Sequence, residues 1–276
     1  MPTDARITIG MPVLNGAKVI GHALTSVLQQ SYPDWQLIVS ENCSDDETAN
    51  VVKNFVKQDS RIKIRSQSQR LPVIENYSRL TQAVTTPYFV FLAADDYWTS
   101  NYLAEAIAIL EQQAAVVAVS GQVMIGDRLS PGTTSIRGRT ATARIRQYLK
   151  DPADNSRFYS VFRTPVIQRL FAELPRGFMY GFDWWLMVLS LQQGEHLELP
   201  QLSLIRHASP LERYQRQMDR EERNPLCRSL PLARFTLQMI RHLPGTALAC
   251  WREILWLNYR TWRLRAAAKP SLLSTP

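Results

Sequence analysis

Val90-Phe91-Leu92-Ala93-Ala94-Asp95-Asp96-Tyr97-Trp98 is an apolar run that stops at two adjacent carboxylates and a pair of aromatics. A short unbroken run of this kind suits a strand buried on both faces, as in a parallel sheet. In open parallel sheets, ligands bind just beyond the carboxyl ends of the strands. Two acids at such an end suit a hard divalent cation, Mg²⁺ or Mn²⁺, which takes carboxylate, phosphate and water oxygens. A plainer role competes with this one. Aspartate is a good N-cap, and the pair would then simply open the next helix.

Working outward, the first 120 residues alternate between short apolar runs and helical spacing. Ile7 to Met11, Leu37 to Val39, Ile62 with Ile64, Tyr88 to Leu92 and Val116 to Val119 read as strands. Between them, Val19 to Leu28, Val51 to Val56, Tyr77 to Val84 and Tyr102 to Leu110 carry apolar residues at helical intervals. Alternation of this type predicts an α/β fold, a doubly wound and mostly parallel sheet with helices on both faces. Gly126 to Thr142 interrupts the pattern with Gly, Pro, Ser, Thr and arginines, as a lid, a binding loop or a disordered segment does. A helix around Val166 to Leu174 follows, then Pro175-Arg176-Gly177 and the aromatic-rich Phe178 to Leu191.

The totals bound the class. A chain of 276 residues that is 45% hydrophobic and 20% charged folds around a core. Cys43, Cys227 and Cys250 are odd in number and widely spaced, which argues against a disulfide scaffold or structural zinc and suits a reducing cytoplasm. No amino-terminal signal and no spanning apolar stretch is visible. The net charge of +8 is uneven: from Leu211 onward there are 12 Lys and Arg against 5 Asp and Glu. Residues 1–210 therefore form a nearly neutral body, and 211–276 a basic, Trp-rich helical extension that should meet an anionic partner.

Neither G-x-G-x-x-G nor G-x-x-x-x-G-K-[ST] follows the first strand, so dinucleotide-binding and P-loop readings are set aside. The first loop is instead Met11-Pro12-Val13-Leu14-Asn15-Gly16, and the second runs from Ser40 to Thr48 as Ser-Glu-Asn-Cys-Ser-Asp-Asp-Glu-Thr. With Gln29-Gln30-Ser31-Tyr32-Pro33, Ala94 to Trp98, Phe182-Asp183-Trp184 and Arg206-His207, these elements in this order resemble the inverting glycosyltransferases of family 2, which have the GT-A fold. The resemblance runs from about Ile7 to His207.

What the resemblance implies is a sugar transferred from a nucleotide-sugar donor to a hydroxyl of a glycan or lipid-linked acceptor, with inversion and metal assistance. Pro12, Leu14, Asn15 and Glu41 would recognise the base, with Arg70, Asn76, Ala94 and Asp95 as further donor contacts. Glu41 stands where the family most often has Asp. Asp95, Asp96 and His207 would hold Mn²⁺ or Mg²⁺, although Ala93 replaces the first acid of the usual motif. Asp183 matches the catalytic base, a role worth about 10²–10⁴-fold in rate. As residues alone, Asp183 also reads as an N-cap for the helix through Leu191.

Two alternatives stand beside this. One is a non-catalytic sugar-nucleotide-binding or scaffold protein of the same fold, supported by Ala93. The other concerns the extension, where Leu248, Trp251, Ile254, Leu255, Asn258, Tyr259 and Trp262 recur at helical spacing among arginines. That helix either docks on the domain or makes peripheral contact with the cytoplasmic face of a membrane, where Trp and Arg are favoured. A nucleic-acid partner is not expected, because the aromatics form one stripe and not spaced stacking platforms.

Overall fold

The computed structural model describes residues 5–130, 134–152, 155–174, 180–207, 227, 230 and 232–268, with side chains to 263. The expected boundary at 210/211, Pro175 to Phe178 and most of the extension before 232 lie outside the described residues.

Among the described residues nine strands form one sheet, in the order β3 (Ile62–Ser66), β2 (Trp35–Glu41), β1 (Ile7–Val13), β4 (Tyr88–Phe91), β8 (Val161–Arg163), β6 (Val116–Ile125), β9 (Glu195–Arg206) and β5 (Tyr97–Trp98), with β7 (Arg128–Leu129) paired to β6. The parallel half consists of β1 (Ile7–Val13), β2 (Trp35–Glu41), β3 (Ile62–Ser66) and β4 (Tyr88–Phe91). In that half Ile9 lies level with Leu37 on one side and Val90 on the other. Helices α1 (Ile20–Leu28), α2 (Thr48–Gln58), α3 (Val73–Gln82) and α4 (Tyr102–Gln112) connect or follow these strands. The doubly wound, two-faced sheet expected from the alternation is the observed one.

The two faces are visible in the strand period. Along β4, Phe89 and Phe91 join one core, while Tyr88 and Val90 join the other. Ile7, Ile9, Met11 and Val13 of β1 pack with α1 and α4, whereas Gly10 points the other way. A Cβ at Gly10 would lie 2.7 Å from Phe89 Cζ, so the glycine makes room for that ring.

Beyond β4 the sheet departs from the simple alternation. The strand expected to close the series at Val119 is β6, which runs to Ile125. It pairs antiparallel with β7 (Arg128–Leu129) and β8 (Val161–Arg163), and parallel with the 12-residue β9 (Glu195–Arg206). Pro200 and Gln201 fall in a register shift between Gly121↔Leu199 and Gln122↔Leu202. A proline without an N–H is tolerated in a strand at such a bulge. β5 (Tyr97–Trp98) pairs antiparallel with the end of β9.

The second core is closed by α5 (Ala141–Lys150), a short 3-10 helix (Ser156–Tyr159), α6 (Thr164–Ala172) and α7 (Phe182–Gln193). Three C-terminal helices pack on the same side: α8 (Ala233–His242), α9 (Pro244–Ala249) and α10 (Trp251–Ala268). Phe235, Met239, Cys250, Ile254 and Leu257 share the core of Trp185 and Phe182. Asp151 pairs with Arg260 at 3.3 Å and Thr142 Oγ1 lies 3.0 Å from Thr246 Oγ1, tying α5 to α9 and α10. One face of α10 is therefore docked on the domain. Its other face leaves Trp251, Leu255, Trp256, Tyr259 and Trp262 about half exposed.

Candidate active site

The carboxyl ends of β1, β2 and β4 open into a cleft of about 1070 Å³. Pro12, Leu14, Asn15, Arg70, Asn76, Ala94, Asp95, Asp96 and His207 all line it. Residues from four separated parts of the chain thus meet in one place. Glu41 and Asp183 do not line this cleft.

The base-side wall is a braced pair of loops. Asn15 adopts a left-handed backbone (φ 55°), and its Oδ1 accepts the Asp45 N–H at 2.8 Å. The Asn15 N–H donates to Ser44 Oγ at 2.9 Å, and Gly16 N–H to Thr48 Oγ1 at 2.8 Å. Arg70 reaches across to the Cys43 carbonyl and to Asp45 Oδ2, at 3.0 and 2.6 Å. Asn42 clamps the backbone of Leu71 with both ends of its amide. Asn76 accepts from Ser40 Oγ at 2.6 Å. Glu41 is buried beneath this assembly, where its Oε1 accepts the Ser44 N–H at 2.7 Å. Here the carboxylate shapes the turn.

At the tip of β4, neither aspartate opens a helix. β5 intervenes, and the N-cap of α4 is Asn101. Asp96 is 3% exposed, and its oxygens accept the His207 N–H at 3.0 Å and Arg206 Nε at 3.3 Å. Burial pushes its carboxyl up to about 6, Arg206 acting against that and Asp95 with it. Arg206 also donates to Ser156 Oγ at 3.1 Å and lies 5.3 Å from the Tyr159 ring. Asp95 faces the cleft beside this pair.

The donor set fits a hard cation carried in part by a diphosphate. Such an ion keeps few protein ligands, one or two carboxylates plus phosphate oxygens and water. Asp95 supplies one carboxylate and His207 an imidazole on the same wall. Asp96 is already engaged by its own neighbours. Among the described residues, no three His, Cys, Asp or Glu side chains form a ready-made cage.

Asp183 lies in the first turn of α7, two residues beyond its N-cap, Gly181. Gly181 has φ 74°, the left-handed region where glycine carries no steric cost. Asp183 Oδ2 accepts Asn155 Nδ2 at 2.8 Å, while Oδ1 is buried with no hydrogen-bond partner among the described residues. Burial raises the Asp183 carboxyl above its ordinary value, and the Asn155 hydrogen bond opposes the rise.

Lys18, Asn42, Tyr77 and Tyr159 also line the cleft and were not anticipated. Tyr77 directly follows Asn76 on α3, a signal that was present in the sequence. Tyr159 sits at the end of the 3-10 helix, where no periodicity marks it. Burial pushes its hydroxyl up to about 12 and raises that of Tyr77 well above its ordinary value, so both act as neutral hydrogen-bonding groups.

A doubly wound sheet with an acid-tipped cleft at its strand ends defines the GT-A class of fold. Residues 8–171 match the model of Glycosyl transferase family 2, and the chain belongs to that family. The Escherichia coli UDP-Glc:alpha-D-GlcNAc-diphosphoundecaprenol beta-1,3-glucosyltransferase WfgD is 30% identical over 107 residues, 39% of this chain and 42% of that protein. The putative teichuronic acid biosynthesis glycosyltransferase TuaG of Bacillus subtilis is 22% identical over 125 residues, 45% of this chain and 50% of that one. This chain spans half or less of the length of the curated relatives it matches. Among solved structures, the Pyrobaculum calidifontis mannosyltransferase PcManGT, in complex with GDP-Man and Mn²⁺, superposes with a TM-score of 0.65. Identity is 18%, over 100% of this chain and 77% of that one. Staphylococcus aureus TarS 1–349 in complex with UDP-GlcNAc gives 0.61 at 13% identity, covering 86% and 73%. At these identities the likeness is one of fold.

Proposed function

We propose that this protein transfers a sugar, with inversion, from a nucleotide-sugar donor to a hydroxyl of a glycan or lipid-linked acceptor. The observation that carries the reading is the convergence of Asn15, Arg70, Asn76, Asp95, Arg206 and His207 on one cleft at the strand ends. The acceptor assignment draws on relatives whose names specify diphosphoundecaprenol-linked substrates.

In this reading the loops at Pro12 to Asn15 and Glu41 to Thr48 hold the base, with Arg70 and Asn76 at their edges. Asp95 and His207 would bind Mn²⁺ or Mg²⁺, which when bound neutralises charge on the diphosphate. Arg206 contributes a fixed positive charge on the same side. The acceptor oxygen attacks the anomeric carbon as the bond to the diphosphate breaks. Asp183 takes the hydroxyl proton, and the nucleoside diphosphate leaves as an anion.

The exposed face of α10 suits peripheral contact with an anionic membrane surface. Trp251, Trp256, Tyr259 and Trp262 stand out from the domain, with Arg252 and Arg263 beside them. No described helix is long and apolar enough to cross a membrane.

The test is turnover of UDP-glucose, UDP-N-acetylglucosamine and GDP-mannose with Mn²⁺, for wild type and Asp183→Asn. Loss of at least about 10²-fold in the variant is expected. Binding of these donors without turnover on any acceptor would favour the scaffold alternative.

A further inference from the structure

Asp183, itself half-buried, ends a chain of buried polar groups that the proposed chemistry leaves unexplained. Tyr148 of α5 is 1% exposed, and its hydroxyl donates to Asn155 Oδ1 at 2.7 Å. Asn155 is 3% exposed, and its Nδ2 donates to Asp183 Oδ2 at 2.8 Å. The residue precedes the 3-10 helix with φ 56° and ψ 30°, a left-handed conformation that asparagine tolerates better than most side chains. Its amide is therefore held at both ends, and the Tyr148 hydroxyl settles which end is the donor.

We propose that Asn155 is a positioning residue for Asp183, holding Oδ2 so that Oδ1 is the oxygen that receives the acceptor proton. Tyr148 acts one step further out by fixing the Asn155 amide. The inference rests on the reading of Asp183 as the base. It draws on an asymmetry: one oxygen is tied down by a neutral donor, and the other is buried with no partner among the described residues. A base with two free oxygens would rotate and lose the near-attack geometry that proximity requires.

Asparagine is also the suitable donor electrically. It supplies a hydrogen bond that favours the carboxylate without forming an ion pair that would hold the proton-accepting oxygen too weakly basic. Arg206 from β9 acts on Asp183 as a positive charge, and the aspartate's own helix adds the backbone N–H groups of Asp183 and Trp184. All of these favour the ionised form. Next along the chain from Asn155, Ser156 accepts from Arg206, so one short segment sets the base and the cationic wall together.

The decisive variant is Asn155→Gly, which removes the amide and keeps a residue at ease with positive φ. Two readouts apply: ¹³C NMR titration of Asp183 in aspartate-labelled protein, and the pH dependence of donor turnover with the sugar nucleotides above and Mn²⁺. Asn155→Gly should move the Asp183 titration and the acid limb upward by about one pH unit, with turnover about tenfold lower well below the limb. Tyr148→Phe should move both in the same direction by less. An inactive Asp183→Asn together with an unmoved titration and limb in Asn155→Gly would overturn the positioning role alone. An active Asp183→Asn would remove the base itself, and the inference with it.

Discussion

Arg206 Nε stands 3.3 Å from Asp96 Oδ2, joining the end of β9 to the tip that follows β4 across 110 residues of sequence. The aspartate is 4% exposed at its side chain and the arginine 25%, so the pair is desolvated mostly on the acid side. Such a contact fixes one wall of the cleft, which Asp95 also lines. Removing one partner of a buried pair strands the other charge, which costs more than the pair contributes.

Arg206→Leu should therefore destabilise the protein by about 2–3 kcal/mol, less than the roughly 3–5 kcal/mol of breaking a fully buried pair because the arginine keeps some solvent. Urea unfolding at pH 8 measures it. A loss below about 0.5 kcal/mol would show that water replaces the guanidinium without penalty.

Asp183 sets a pH dependence of opposite sign for activity and for stability. Its carboxyl is raised by burial, so as a base it is lost when pH falls through that raised value, and kcat/KM should decline on an acid limb above the ordinary carboxylate range. For folding, the native state binds the proton more tightly than the unfolded chain, so its contribution fades as pH rises from the ordinary value through the raised one. Asp183→Asn should then be neutral or stabilising at pH 8 while abolishing turnover. Thermal melts and donor turnover on the same samples check both halves.

His196 supplies a stability titration away from the cleft. Its Nε2 lies 2.8 Å from Ser190 Oγ, whose own proton goes to the Met187 carbonyl, so Nε2 carries the imidazole proton and Nδ1 has no hydrogen-bond partner among the described residues. Burial, then Arg157 and Arg144, hold its pKa well below the ordinary value of 6.5. The unfolded chain takes up the proton first, so stability is full above about 6.5 and falls below it by about 1.4 kcal/mol per pH unit. Urea unfolding at pH 7.5 and 5.5 should show this slope in wild type and a flatter one in His196→Leu. Equal slopes would remove the assignment.

The exposed stripe of α10 predicts binding to phosphatidylglycerol vesicles and little to phosphatidylcholine alone. Sedimentation with vesicles should fall at least tenfold for the double variant Trp256→Glu, Trp262→Glu, and fall with added salt as surface electrostatics do. Both residues are about half exposed, so the fold should persist. Unchanged sedimentation would mean that this face meets something other than lipid.

Gly181 enters α7 with φ 74°, one residue before Phe182 and two before Asp183. Gly181→Ala forces an L side chain into the left-handed region, at about 1–2 kcal/mol, and its Cβ would lie 3.0 Å from Leu232 Cδ2. The melting temperature should fall and turnover with it, because the turn that carries Asp183 shifts. An alanine variant as active and as stable as wild type would show that the turn adapts freely.

The parallel half of the sheet is legible in the amino-acid pattern alone. Strands β1 to β4 are short apolar runs separated by helices with helical apolar spacing, and both patterns are local, so each can be seen without its partners. The loop residues at Pro12 to Asn15 and the acids after β4 were legible for the same reason, since they sit at strand ends that those patterns define. The remainder depends on how whole elements pack. β9 carries Pro200 at a bulge and lacks a clean period, so its pairing with β6 rests on neighbours nearly 80 residues away. Asp96 was readable as a ligand or a cap, and its engagement by Arg206 and the His207 N–H follows from β5 pairing with the far end of β9. Asp183 was readable as a base or an N-cap, yet Gly181 holds the cap position and Asn155, 28 residues earlier, holds one carboxylate oxygen. Hydrogen-bond partners brought together by chain folding leave no periodic trace in sequence, because their spacing is set by the packing of whole elements and not by the repeat of any one.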